Sequence, residues 1–283
     1  MIRIAIQAKG RLNEQSVELL SEAGILIDES RRQLLTRANN FPIEALYLRD
    51  DDIPQAVAMG VADVGIVGLN EVEEKGFPVD VLHRTGFGKC RLSLAIPKGE
   101  IYEGVRWFHK KRVATSYPRI LENYLRAYAV EAEIHIIAGS VEVAPSVGMA
   151  EAIFDIVSTG GTLVKNGLVE VEKVMDSEAV LIGCKSLSAE KQSIIDQVLF
   201  RFDAVQRSRG IKYVLMNLPC EAVERAAAIL PGVKSPTILP LQQKGWCSMH
   251  VAISENDLWN RIESLKSIGA EGILVLSLEK MIP

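Results

Sequence analysis

Apolar residues in this chain gather in short runs, separated by stretches in which they recur every three or four positions. Residues 2–7 (IRIAIQ) read as a buried strand. Residues 12–23 carry Leu12, Val17 and Leu20 at helical spacing, and Gly24 stops the helix. Residues 45–48 form a short apolar strand. Asp51 or Asp52 suits the cap of the next helix, Pro54 its first turn, and Gly60 its end. Residues 63–68 (DVGIVG) are again a buried strand. Further strands are expected at 91–96, 112–115, 133–137, 152–157 and 179–184. Ser116 is expected to cap a helix running through Tyr128, with Pro118 in its first turn. Strands alternating with helices predict an α/β fold with largely parallel sheets covered on both faces.

Two lobes of this type can be joined by more than one crossing of the chain. The first lobe is expected to cover 1–93 with a return at 170–205, and the second 94–169. A long amphipathic helix at 189–210 reads as a connector. Beyond it the order changes to strand 212–218, helix 221–230, strands 237–241 and 247–253, helix 254–268 and strand 272–278. Pro231 with Gly232 stops the first of these helices, Ser254 caps the second and Gly269 ends it. That β-α-β-β-α-β order is the signature of a ferredoxin-like module, here 206–283.

Composition narrows the function. The 283 residues suit two or three lobes, and 48% apolar with 24% charged is ordinary for a globular enzyme. A net charge of -4 makes no basic footprint for nucleic acid, so a polyphosphate site has to be basic locally. No apolar stretch reaches membrane-spanning length, and the first apolar run is too short for a signal peptide. A cytoplasmic location is therefore expected. Cys90, Cys184, Cys220 and Cys247 are scattered, without a CxxC pair, and read as buried reduced thiols. None of the four histidines has an acid or cysteine at ligand spacing, and none is assigned a catalytic role; His135 reads as a core residue.

Residues 151–168 (EAIFDIVSTGGTLVKNGL) are the most informative segment. An apolar strand bearing Asp155 leads into Ser158, Thr159, Gly160, Gly161 and Thr162, and then into a helical turn. Glycines let backbone N–H groups approach an anion, and the helix start adds positive dipole character. The loop lacks GxxxxGK[ST], so it is not the P-loop of ATPases. A carboxylate one sugar-width from a phosphate is placed to accept hydrogen bonds from a ribose diol. Asp155 with STGGT thus matches a phosphoribosyl-diphosphate site, and Glu151 is expected to help orient the sugar or a metal-bound water. The alternative is an ordinary strand-to-helix turn.

Motifs along the whole chain resemble the long form of the ATP phosphoribosyltransferase family. They are AKGRL at 8–12, LRDDDIP at 48–54, DVGIVG at 63–68, FGKCRLSLA at 87–95 and KRVATSYP at 111–118. GSVEVAP at 139–145, DIVSTGGTL at 155–163, SPTILPL at 235–241 and LVLSLEKM at 274–281 continue the match. The resemblance implies transfer of a phosphoribosyl group to N1 of ATP with release of pyrophosphate, the first step of histidine synthesis. It implies Mg²⁺ as cofactor and a two-lobed catalytic region like the type II periplasmic binding proteins. It also implies a C-terminal regulatory domain that senses histidine as inhibitor, and a homo-oligomer of dimers or hexamers.

The family carries roles onto particular residues. Lys9 and Arg11 follow the first strand, where α/β ligands bind, and are candidates for the polyphosphate of ATP or the pyrophosphate. Arg49, Asn70, Arg91 and Tyr117 are implied at the ATP site, Tyr117 with its ring against adenine. Each has a plainer alternative: an ion pair for Arg91, a loop-satisfying amide for Asn70, a core-edge ring for Tyr117. Asp50 and Asp51 are the implied Mg²⁺ carboxylates, with a helix cap beside a solvated face as the alternative. Asn217, Thr237, Ala270 and Gly272 are carried over as the histidine site. Asn217 departs from the acid that some relatives place there and cannot supply its charge to the effector's ammonium, which implies either weaker affinity or another acid in its place. A solute-binding protein and a transcriptional effector domain share the two-lobed fold, but the STGGT loop and the C-terminal module favour the enzyme.

Overall fold

The computed structural model describes residues 1–28, 34–232 and 235–282. The chain divides into two units, Met1–Gln197 and Val198–Pro283. The first unit opens with β1 (Ile2–Gln7), α1 (Arg11–Glu22), β2 (Leu35–Arg37), β3 (Ile43–Leu48), α2 (Ile53–Ala58), β4 (Val64–Gly68), α3 (Leu69–Lys75) and β5 (Val79–Arg84). It continues with β6 (Cys90–Pro97), β7 (Arg112–Thr115), α4 (Pro118–Ala127), β8 (Glu133–Ile136), β9 (Ala152–Val157), α5 (Gly161–Lys165) and β10 (Leu168–Ser177). β11 (Ala179–Cys184) and α6 (Ala189–Ser208) follow, the helix running on into the second unit.

Two sheets build the first unit, in the orders β2-β3-β1-β4-β11-β5 and β10-β6-β9-β7-β8. The uninterrupted apolar runs lie at their centres: β4, β9 and β11 are almost wholly buried, as expected for strands covered on both faces. The chain crosses between sheets twice, from β5 to β6 and from β10 to β11. This is the two-lobed α/β plan that the sequence predicts. The crossings fall elsewhere than expected, because β6 begins at Cys90 and β10 runs to Ser177 within the second sheet. The second lobe's sheet therefore extends beyond 94–169 at both ends.

The sheets are mixed rather than largely parallel. β1, β3 and β4 are parallel, as are β7, β8 and β9. β11 runs antiparallel to β4 and β5, and β6 antiparallel to β9 and β10. β6 and β11, the strands by which the chain enters a lobe at a crossing, follow no helix from the same sheet and run in the opposite sense, whereas β5 and β10, by which it leaves, keep the sense of the parallel strands. β5 and β10 were not read from the sequence. Each carries charge along much of its length and buries little, so neither makes an apolar run. His135 also departs from expectation: it lies on edge strand β8, half-exposed, with Nε2 2.8 Å from Glu133 Oε1.

The second unit carries β12 (Ile211–Pro219), α7 (Val223–Ile229), β13 (Thr237–Pro240), β14 (Trp246–Ser254), α8 (Glu255–Ser267) and β15 (Glu271–Ser277). Its antiparallel sheet has the order β13-β14-β12-β15, which is that of a ferredoxin-like module. β12 and β14 bury alternate residues, and Val214, Met216, Leu218, Met249 and Val251 pack with Leu258 and Leu265 of α8. Ser254 caps α8 as expected, its Oγ accepting from Asp257 N at 3.1 Å.

The cysteine expectation needs correction. Cys220 and Cys247 form a disulfide, with Cα atoms 5.2 Å apart, whereas Cys90 and Cys184 are free. Cys247 on β14 faces Leu218 on β12, and the turn after Pro219 brings Cys220 to it. A pairing made by strand register leaves no mark in local cysteine spacing. The bond closes a loop of sequence separation 27, and closing a loop of that order stabilises by about 3 kcal/mol. Reduction, or Cys220→Ser, should lower the melting temperature of the C-terminal module in differential scanning calorimetry. An unchanged transition would mean the thiols are unpaired in solution.

Candidate active site

In the first sheet β1, β3 and β4 run parallel, so their carboxyl ends share one edge. That edge delivers Lys9 and Arg11 after β1, Arg49 to Asp52 after β3, and Asn70 after β4. In the second sheet β7 and β9 deliver Tyr117 and the loop at 158–162 in the same way. Ligands of open α/β sheets bind at such edges.

The loop at 158–162 leaves β9 at the middle of its sheet. Gly160 takes φ +78°, a left-handed conformation that glycine adopts without strain, and α5 begins at the next residue. The bonds that hold the loop go to its carbonyls: Arg91 Nη1 donates to Ser158 O at 3.1 Å, and Asn166 Nδ2 to Thr162 O at 2.9 Å. Ser158, Thr159, Gly161 and Thr162 are exposed. Asp155, two residues before the strand ends, is half-buried. Burial pushes its carboxyl up to about 6, the Glu142 charge adds to the rise, and the N–H of Ile156 opposes it. Its charge is also felt at the Tyr117 hydroxyl.

Glu151 lies elsewhere. It precedes β9, whose six residues span roughly 20 Å at strand rise. The length of the strand thus separates it from the loop at 158–162. It binds Arg112 at the opposite end of the sheet, accepting from Arg112 N at 2.8 Å and Nε at 3.0 Å, and Arg112 holds its carboxyl down at about 2. Glu151 is therefore a structural partner of Arg112 and does not face the loop.

Arg91 reaches the loop but is already paired. Its Nε and Nη2 donate to the two oxygens of Glu170 at 2.6 and 2.5 Å, and Ser93 Oγ donates to the same carboxylate at 2.7 Å. The bidentate pair fixes the guanidinium so that Nη1 meets Ser158 O. Arg91 thus ties the loop to β6 and β10, and Glu170 is a residue the sequence reading missed. Nothing in its local sequence marks it; only the β6–β10 register brings it there.

Asn70 and Tyr117 meet between the lobes. Both are buried, at 5% and 8% exposed. Asn70 Nδ2 donates to Tyr117 Oη at 3.3 Å and to Glu71 Oε1 at 3.1 Å. Asn70 N donates to Ser177 Oγ at 3.1 Å, and that hydroxyl donates to Asn70 Oδ1 at 2.8 Å. The Tyr117 ring belongs to the core of the second lobe with Leu92, Leu94 and Phe154, so it does not present a face for an adenine to stack on. Burial, then the neighbouring Glu71 and Asp155 charges, raises its hydroxyl pKa.

Asp50, Asp51 and Asp52 form a helical turn at the end of β3. Asp51 sits 3.4 Å from Arg49 Nε and 3.8 Å from Lys75 Nζ, yet its Oδ1 is buried with no hydrogen-bond partner. Burial raises the Glu71 carboxyl, and the Asp50 charge adds to it. Among the described residues no three His, Cys, Asp or Glu groups converge as a metal cage. Neighbouring carboxylates without a cage are compatible with Mg²⁺, which takes one or two carboxylates and fills its octahedron with phosphate oxygens and water. Lys9 and Arg11 are exposed on the same sheet edge.

In the second unit Asn217 and Gly272 touch. Gly272 takes φ +58°, and a Cβ there would lie 3.4 Å from Asn217 Nδ2. Ala270 is buried beside them in sequence, and Glu271 stands in register with Asn217. Thr237 is two strands over, opposite His250.

A two-lobed α/β core with a glycine loop at one carboxyl edge, followed by a ferredoxin-like module, is the plan expected of a transferase of the phosphoribosyl type. The ATP phosphoribosyltransferase family model matches residues 49–204, and the model of the HisG C-terminal domain matches 208–280. The ATP phosphoribosyltransferase of Bacteroides thetaiotaomicron is 57% identical over 282 residues, covering 100% of both chains. That of Cytophaga hutchinsonii is 49% identical, covering 100% of this chain and 99% of its own. Among solved structures, the ATP phosphoribosyl transferase (HisG:HisZ) complex from Thermotoga maritima matches with TM-score 0.62 and 28% identity, over 71% of this chain and 96% of that one. The chain belongs to the ATP phosphoribosyltransferase family, a group of pentosyltransferases of histidine biosynthesis. No helix among the described residues is long and apolar enough to cross a membrane.

Glu170→Ala should release Arg91 and loosen the loop. The KM for phosphoribosyl diphosphate should rise roughly fivefold, the worth of about one hydrogen bond, with the KM for ATP unchanged in steady-state kinetics. Equal rises for both substrates would remove the loop-anchoring role.

Proposed function

We propose that this chain transfers the 5-phosphoribosyl group of phosphoribosyl diphosphate to N1 of ATP, releasing pyrophosphate, and that histidine inhibits it through the C-terminal module. The observation that carries the reading is Asp155, half-buried three residues ahead of the exposed glycine loop at the carboxyl edge of its sheet. In this reading residues 158–162 hold the 5′-phosphate by N–H and hydroxyl donors, and the Asp155 carboxylate accepts from the ribose diol. The N1 lone pair of ATP forms the bond to the anomeric carbon as the carbon–oxygen bond to diphosphate breaks, its electrons leaving with pyrophosphate. No protein base is needed, because N1 is itself the nucleophile. Orientation of the two reactants and charge stabilisation of the leaving group supply most of the rate.

Lys9 and Arg11 are the cations assigned to the pyrophosphate or the ATP polyphosphate. Arg49 and Asn70 lie on the same edge and are assigned to ATP. Asp50 and Asp51 are the carboxylates that would hold Mg²⁺, which when bound would supply positive charge to offset that of the leaving group. The catalytic lobes in this reading are built on the two sheets, one from 1–84 with 179–184 and the other from 90–177, with 206–283 as the histidine sensor. Asn217 and Gly272 would receive the effector's polar groups, with Thr237 and Ala270 completing the site. Glu271, in register with Asn217, is the acid available to its ammonium. A homo-oligomer working in the cytoplasm completes the proposal.

Purified protein with ATP, phosphoribosyl diphosphate and Mg²⁺ should show a rise in near-ultraviolet absorbance that needs all three and falls on adding histidine. Absence of product would refute the transfer, and a rate indifferent to histidine would refute the sensor. The diol needs the ionised form of Asp155, whose carboxyl is raised to about 6. Activity should therefore climb as pH rises through about 6 and level off above it. Asp155→Asn should cut kcat roughly 10²-fold and abolish that limb; a wild-type profile in the variant would remove Asp155 from the mechanism.

A further inference from the structure

Helix α4 lacks a cap of its own. Ser116, the residue expected to cap it, donates Oγ to Ile137 O at 2.6 Å instead, and Tyr117 occupies the cap position without a side-chain bond to the helix. The first N–H groups of a helix have no intrahelical acceptor, and leaving them unmet costs stability. Here the acceptor comes from the other lobe. Glu74 on α3 places Oε1 3.0 Å from Arg119 N and Oε2 3.0 Å from Ile120 N, the second and third residues of α4. One carboxylate of the first lobe thus closes the N-terminus of a helix of the second, in the charge sense that a helix N-terminus favours.

Two further contacts lie on the same line. Four residues before Glu74, about one helical turn back along α3, Asn70 bonds the Tyr117 hydroxyl. Just beyond it, the Arg119 guanidinium covers Gly76, where a Cβ would lie 1.9 Å from Nη1. The single short helix α3 therefore grips the start of α4 at both of its ends. Asn70 ends the strand edge that carries Lys9 and Arg49, and Tyr117 ends the edge that carries Asp155.

We propose that Glu74 is a positioning residue for phosphoribosyl transfer: by capping α4 across the lobe boundary it sets the carboxyl edge of one sheet against that of the other. It touches neither reactant. Phosphoribosyl diphosphate on residues 158–162 and ATP on the opposite edge lie in line only when the two edges keep one spacing, and misplacement by about 1 Å can cost 10²-fold in rate. This rests on the transfer reaction proposed above.

The test uses the full chain with Glu74→Ala and Glu74→Gln, the latter keeping one acceptor oxygen. Amide hydrogen exchange at Arg119 and Ile120 should quicken in both variants, most in Ala. This readout is independent of activity, so it judges the cap even if wild-type protein transfers nothing. Where wild type is active, kcat should fall roughly tenfold in Ala and less in Gln, while the binary dissociation constant of ribose 5-phosphate, whose phosphate and diol are assigned to the second lobe alone, stays within about twofold. Unchanged exchange, or an unchanged kcat in Ala, would overturn the proposal. So would a fall in kcat matched by equal losses in binary affinity and melting temperature, since that is the mark of a merely structural residue. If the Ala variant does not fold, the same criteria apply to Gln.

Discussion

Everything at the candidate site depends on two sheets presenting their carboxyl edges to each other, and a small buried set of polar groups holds them so. Asn70, Tyr117, Ser177 and Glu71 exchange hydrogen bonds in a region where none of them can reach bulk water freely. Buried polar groups that satisfy one another resist rearrangement, because breaking any one bond strands a partner. Two apolar faces would tolerate sliding; this network does not. Gly68 fits the same demand, since a Cβ there would lie 2.4 Å from Asn70 Oδ1.

The charges follow a related logic. The cationic side chains expected at the ligand split into two kinds. Lys9 and Arg11 are exposed at the edge of the first sheet, whereas Arg91 is spent on Glu170 and on the loop carbonyl. An acidic chain that handles polyphosphate needs both: cations that meet the anion, and cations that hold the loop in shape. Asp155, the carboxylate beside the loop, is kept partly dry, and so its carboxyl is raised to about 6.

The second unit repeats the theme on a smaller scale. Alternating burial on β12 and β14 builds one apolar face against α7 and α8, while the other face carries Tyr213, His250 and Ser248 in a hydrogen-bonded row. The Cys220–Cys247 bond ties the turn after β12 to the neighbouring strand close to Asn217. Asn217 therefore stands on the open face of a sheet that the disulfide braces from its apolar side.

Local pattern alone specified most elements of the fold. Uninterrupted apolar runs marked β1, β4, β9 and β11, period-two burial and turn residues marked the β-α-β-β-α-β module, and the spacing of an acid before STGGT marked the loop. These are legible because burial on a strand and backbone freedom at glycine are properties of a few consecutive residues. What needed the tertiary structure was every pairing between distant segments. Strand sense at the crossings, the distance from Glu151 to the loop, the Glu170 clamp on Arg91, the disulfide, and the cap that Glu74 lends to α4 all depend on register between strands or on contact between lobes. Ser116 shows the limit plainly: its position favours a helix cap, yet Ile137 across the sheet claims its hydroxyl, and a carboxylate 42 positions earlier takes its place.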